Sequence, residues 1–112
     1  MLPGIDHRTL AGREHGLAAL SVWSQRMAPG SATPPHVHAC EEVVLIVEGE
    51  GTLECGGEQR PFRAGDTVIV PAHLAHRLVN TGAEPLRTVA AFNAAPVPVA
   101  LPDGTPITLP WD

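Results

Sequence analysis

Apolar positions in this chain come in short bursts divided by Gly and Pro, and no stretch holds a helical period for a useful length. Residues 17–27 predict a strand, with Leu17, Ala19, Trp23 and Met27 on one parity and Leu20 and Val22 on the other. Residues 42–48 predict the next one. Its centre, residues 43–47, is apolar at both parities, so both of its faces should be covered. One face would look into the domain; the other needs a terminal segment or a second subunit. Gly56-Gly57 between residues 52–55 and 58–62 has the positive-φ freedom that a tight hairpin requires. Residues 67–70, 76–80 and 86–92 add three more short strands, stopped by Pro71 and by the turn at Thr81-Gly82.

The ends read differently. Residues 1–16 are polar and irregular, with His7 and His15 as unplaced ionisable groups. From Pro96 onward, five prolines in seventeen residues predict an extended tail, able to run along a surface but not within a central strand. Trp111, near its end, is expected to pack in a dimer seam or against the body of the domain. The set of short strands predicts an all-β fold in a closed or double-sheet arrangement. The 112 residues form a single domain with one core, burying roughly two-thirds of the unfolded chain's surface.

Composition narrows the chemistry. The formal charge of −5 with no basic cluster excludes a phosphate backbone as partner, so no nucleic acid is expected. The five-residue apolar run at 43–47 falls far short of the ~20 residues of a membrane span. The first ten residues lack the regions of a signal peptide, which predicts a cytoplasmic protein with Cys40 and Cys55 as free thiols. All seven basic residues are Arg, and there is no Tyr. Schiff-base lysine and phenolic acid–base chemistry are therefore closed, leaving His, Glu, Asp and Cys to move protons.

The densest chemistry lies in residues 30–49. His36 and His38 stand two apart, which in extended chain places both imidazoles on one face. Pro34-Pro35 keeps the approach extended, and Glu42 follows at the head of a strand. Two imidazoles and a carboxylate are a ligand set for a divalent transition metal. His76, in a later short strand, is one more imidazole that could complete it.

These positions resemble the two motifs of the cupin superfamily. The first runs Gly, five residues, His-x-His, three residues, Glu, six residues, Gly, and Gly30, His36, His38, Glu42 and Gly49 fit it throughout. The second is matched by Gly65, Pro71, His76 and Asn80, but His73 stands where the family favours Gly. The resemblance covers residues 30–80 and implies a cupin jelly-roll β-barrel, the double-stranded β-helix. It also implies one divalent ion per chain (Fe, Mn, Ni, Co, Cu or Zn) held by His36, His38, Glu42 and His76 around an internal cavity.

Around that site the residues suggest further roles. His73 is either a tolerated turn substitution or an acid–base group at the cavity mouth, and Glu42 is the other candidate for proton transfer. Val44, Ile46 and Leu78 should line the pocket. Gln25 joins them if the bulky parity of its strand points inward, where its amide needs a partner. Arg26 and Arg77 then point outward. Cys40 is either an extra sulfur ligand, a redox-sensitive group or a small buried residue, and Cys55 reads as core. With no Lys, Tyr or inward Arg to hold a phosphate, the partner expected is a compact, partly apolar organic molecule. The resemblance implies a small-molecule enzyme, either dioxygenase-like or a metal-dependent isomerase, lyase or decarboxylase. The alternatives are a non-catalytic binding or sensing barrel, and a structural homodimer whose metal only staples the fold.

Overall fold

The computed structural model describes residues 2–109. Its strands are β1 (Ile5–Ala11), β2 (Ser21–Met27), β3 (Glu42–Glu48), β4 (Glu50–Cys55), β5 (Glu58–Arg63), β6 (Thr67–Val70), β7 (His76–Val79) and β8 (Leu86–Phe92), with a single 3-10 turn at Arg13–His15. They form two antiparallel sheets, a five-stranded one ordered β1-β2-β8-β3-β6 and a three-stranded one ordered β5-β4-β7. This is the all-β jelly-roll barrel, and no described helix is long and apolar enough to cross a membrane.

Alternation of side chains builds the core. In β3, Val44 and Ile46 are buried while Val43, Leu45 and Val47 face out; in β8, Leu86, Thr88, Ala90 and Phe92 face in. Leu53 and Phe62 close the space from the smaller sheet. The predicted hairpin forms with both central residues at positive φ, 56° at Gly56 and 79° at Gly57. Pro61 sits in β5, an edge strand, where its missing N–H costs no ladder bond.

Three expectations need correction. The first segment is not all irregular: Ile5–Ala11 form β1, which pairs with β2, Ile5 opposite Met27 and His7 opposite Gln25, with a register shift between Thr9 and Ala11. Polar residues on both of its faces hid the alternation, because only Ile5 is fully buried. The strand predicted over 17–27 begins at Ser21, and Leu20 is exposed. Residues 36–38 lie extended but join the sheets only through isolated bridges. Pro34 and Pro35 lack the N–H groups that a continuous ladder needs. The site proposed for Trp111 lies outside the described residues.

Asn80 ties the strands together beneath the site. Its buried side-chain amide donates to the carbonyls of Met27 at 3.0 Å and Glu84 at 2.9 Å, and its Oδ1 accepts from the Gly82 N–H at 2.9 Å. Asn80→Ala removes all three bonds and leaves the buried Met27 carbonyl without this partner, and should lower unfolding free energy by on the order of 2 kcal/mol, measured by denaturant titration.

Candidate metal centre

Backbone pairing assembles the site from distant segments. The His36 N–H donates to the His76 carbonyl at 3.0 Å, and the His76 N–H donates back to the His36 carbonyl at 2.9 Å. That reciprocal pair sets both imidazoles on the same inner face, with ring centroids 4.3 Å apart. Upstream, Thr33 is bonded to Leu78 in both directions, its hydroxyl accepting the Leu78 N–H and its own N–H donating to the Leu78 carbonyl, each at 2.9 Å. His38 follows two residues on, and Glu42 enters from the first position of β3.

One ring nitrogen from each of His36, His38 and His76 lies within 4.8 Å of the others. Every Nδ1 is committed to a backbone carbonyl: Pro34 for His36 at 2.7 Å, Pro98 for His38 at 2.8 Å and Leu74 for His76 at 2.8 Å. Each Nδ1–H therefore donates outward, which leaves the Nε2 lone pairs facing inward. Glu42 Oε1 lies 3.5 Å from His38 Nε2 and 3.4 Å from His76 Nε2, buried and without a hydrogen bond. Inward lone pairs beside a buried carboxylate repel one another unless a cation sits among them. The donor set thus fits a divalent transition metal, with the backbone carbonyls as outer supports.

Burial also favours the metal-binding form of His36 and His38. Desolvation is the main cause that lowers His36 to about 4, with His76 adding to it, against the Pro34 carbonyl, which raises it. The same burial lowers His38, opposed by the Glu42 carboxylate and the Pro98 carbonyl. Neutral imidazole is the form that binds metal.

The cavity beside this cluster has a volume of about 80 Å³. Val44, Leu78 and Gln25 line it as expected, joined by Trp23, Thr33 and Phe92. The Gln25 amide lies 3.1 Å from His7 Nδ1, so the structure supplies an internal partner for it. Ile46 is buried but does not line the cavity, since it sits roughly 7 Å further along β3 than Val44. His73 is exposed, at φ 67°, and is absent from the lining. Its contribution is from the backbone: its N–H donates to the His38 carbonyl at 2.8 Å. Cys40 lies outside the cluster, and burial pushes its thiol up to about 11, away from thiolate character. Arg26 is exposed, and Arg77 pairs with Glu54 at 2.6 Å away from the cavity.

A pH dependence follows from the sign of the His36 shift. The unfolded imidazole takes its proton near 6.5, the folded one only near 4. Stability of chelator-treated protein is therefore full above pH 6.5 and declines progressively towards pH 4. Denaturant titrations across that window should show a shallower decline for His36→Gln than for the unsubstituted chain.

Comparison with known proteins agrees with this architecture. A family model described as Cupin domain matches residues 23–92. Auxin-binding protein 1 of Arabidopsis thaliana is 37% identical over 107 residues, covering 87% of this chain and 54% of that protein. The chain thus spans about half the length of that relative. A Cupin 2 conserved barrel domain protein from Salinispora arenicola superposes with a TM-score of 0.72 at 27% identity, over 82% of this chain and 78% of the other. An oxalate oxidase structure shares the fold with a TM-score of 0.76 at 24% identity, over 88% of this chain and 55% of that one. With both histidine segments, the barrel and the family match in agreement, the chain belongs to the cupin family.

Proposed function

We propose that this protein holds one divalent transition metal through His36, His38, His76 and Glu42 and uses it to act on a compact, mainly apolar organic molecule bearing an oxygen donor. The observation that carries the reading is the clustering of one ring nitrogen from each of His36, His38 and His76 within 4.8 Å, with the buried, unbonded Glu42 Oε1 within 3.5 Å of two of them. Bound there, such an ion supplies Lewis-acid polarisation of an oxygen donor or, if redox-active, a centre for dioxygenase-like chemistry. The chain's own residues do the rest. Val44, Leu78 and Phe92 exclude water and favour an apolar body, while the amide of Gln25 and the hydroxyls of Thr33 and Thr88 are the uncharged polar groups on the wall. Apart from the four ligand residues, the described lining has no titratable side chain. Glu42 is then the proton carrier for an isomerase, lyase or decarboxylase step, and His73 has no part in it.

That same scarcity of acid–base groups supports a second reading, a non-catalytic small-ligand barrel. The name of the Arabidopsis relative, an auxin-binding protein, points the same way. Elemental analysis of purified protein tests the shared core of both: near-stoichiometric metal is expected, and His36→Ala with His38→Ala should abolish uptake while far-UV circular dichroism stays β-rich. Unchanged metal in the double variant overturns the site. Metal-dependent turnover or dioxygen uptake with small enolisable acids and phenols supports the enzyme; tight binding without turnover supports the barrel as a receptor.

We also propose that the outer face of the five-stranded sheet docks a second copy of this chain. Val43, Leu45 and Val47 on β3 and Ile69 on β6 are 37%, 47%, 52% and 60% exposed, and Val43 sits directly opposite Ile69 and Ala91. The described tail, which could have covered this face, runs to the cavity instead, with Val99, Ile107 and Leu109 in its wall. A contiguous apolar sheet face of this kind favours an interface. Leu45→Arg should convert a dimer to a monomer in sedimentation velocity without unfolding it. A monomeric unsubstituted protein at tens of micromolar overturns the pairing.

A further inference from the structure

The roof of the cavity is made by residues 97–109, which belong to neither sheet. Val97 is buried, and Val99, Ile107 and Leu109 face the cavity. The strap is mainly bonded to itself: Leu101 N–H to the Thr105 carbonyl, Gly104 N–H to the Leu101 carbonyl and Ile107 N–H to the Val99 carbonyl, each at 2.8 Å. Its backbone is clipped to the barrel by one reciprocal pair, Val37 N–H to the Ala100 carbonyl at 2.8 Å and Ala100 N–H to the Val37 carbonyl at 2.9 Å.

Beside that clip, the Pro98 carbonyl accepts the Nδ1–H of His38 at 2.8 Å. The other two histidines are oriented from within their own segments, by carbonyls two residues earlier in the chain. His38 alone of the three takes its orientation from a piece of chain sixty residues away. The cavity volume of about 80 Å³ is small beside the roughly 150 Å³ of a cavity that accepts benzene. A guest of aromatic size is fully covered there only if a wall moves. Among the described residues, the strap is held to the barrel by the Val37–Ala100 pair and by the bond from His38 to the Pro98 carbonyl.

We infer that residues 97–109 form a gate whose closure limits the size of the molecule admitted and locks His38 through the Pro98 carbonyl. Gating stands on the cavity and the strap's bonding; the lock on His38 rests on the metal-site reading above. Val99 and Ile107 are the size-determining side chains, and the Pro98 carbonyl is a positioning group. Opening withdraws that carbonyl from Nδ1 and frees the imidazole to turn, so guest entry and metal exchange share one motion.

Native-state hydrogen exchange on chelator-treated protein tests the gate without any metal. Amides of Val37, Ala100 and Ile107 should exchange through a local opening insensitive to low denaturant, on the order of a hundredfold faster than amides of the β3–β8 ladder. Exchange of these amides only at the rate of global unfolding overturns the gate. Ala100→Pro deletes one N–H of the clip. Loaded with cobalt, that variant should release its ion to EDTA about tenfold faster than the unsubstituted protein. It should also gain affinity for benzoate relative to acetate. Unchanged release from a folded variant overturns the lock on His38. Ile107→Ala keeps the clip and serves if the proline variant does not fold: its benzoate-to-acetate affinity ratio should rise severalfold, and an unchanged ratio overturns the size role. Failure of the unsubstituted protein to hold cobalt sinks the metal reading, while the exchange data still decide the gate.

Discussion

The structure depends on one reciprocal pair of backbone hydrogen bonds, between His36 and His76. Forty residues separate them, yet this pair fixes two ligands of the site at once, because bonded neighbours in an antiparallel pair present their side chains on the same face. Prolines at 34 and 35 prevent the segment from continuing as an ordinary strand, and Thr33 is bonded to Leu78 in both directions, through its hydroxyl and its own N–H. The result is a short extended segment held at one register. A slip by one residue would turn both imidazoles to the outside.

From that pair the electrostatics follow. Tying each Nδ1–H to a carbonyl turns three Nε2 atoms inward, and burial favours the neutral form of His36 and His38. Glu42 adds an oxygen donor beside them. A cluster of this kind is unfavourable by itself, since it concentrates unpaired acceptors in a poorly solvated space. The barrel tolerates it because Asn80 and the packed interior around Leu53, Phe62 and Leu86 hold the strands in place independently of the site. Val44, Leu78 and Phe92 belong to both interior and site, packing the core and lining the cavity.

The strap joins the cavity and the candidate metal centre. Its side chains cover the apolar half of the cavity while its Pro98 carbonyl reaches His38, so the proposed gate also touches a candidate metal-holding residue. The long apolar strand β3 divides in the same way. Its inner parity serves the cavity and core, and its outer parity, with Ile69 beside it, remains as an uncovered face.

Much of this was legible in the sequence. Strands β3, β6 and β8 and the Gly56-Gly57 hairpin follow from short apolar runs bounded by turn residues, which are local properties. The convergence of His36 and His38 follows from period-two geometry. Strand β1 was hidden because its inward positions, His7 and Thr9, are not apolar, and the departure of Ile46 and His73 from the cavity is a matter of depth and exposure, which period does not encode. Sequence by itself determined the all-β class, from short strands split by Gly and Pro, and the local grouping of His36, His38 and Glu42, while the place of His76 beside them followed from the resemblance to the cupin motifs. Only the tertiary structure decided which segment roofs the cavity, which carbonyl orients His38 and how much space is left for a guest. Those depend on where a proline-rich tail with no periodic pattern comes to rest, and that is fixed by contacts between residues some sixty positions apart.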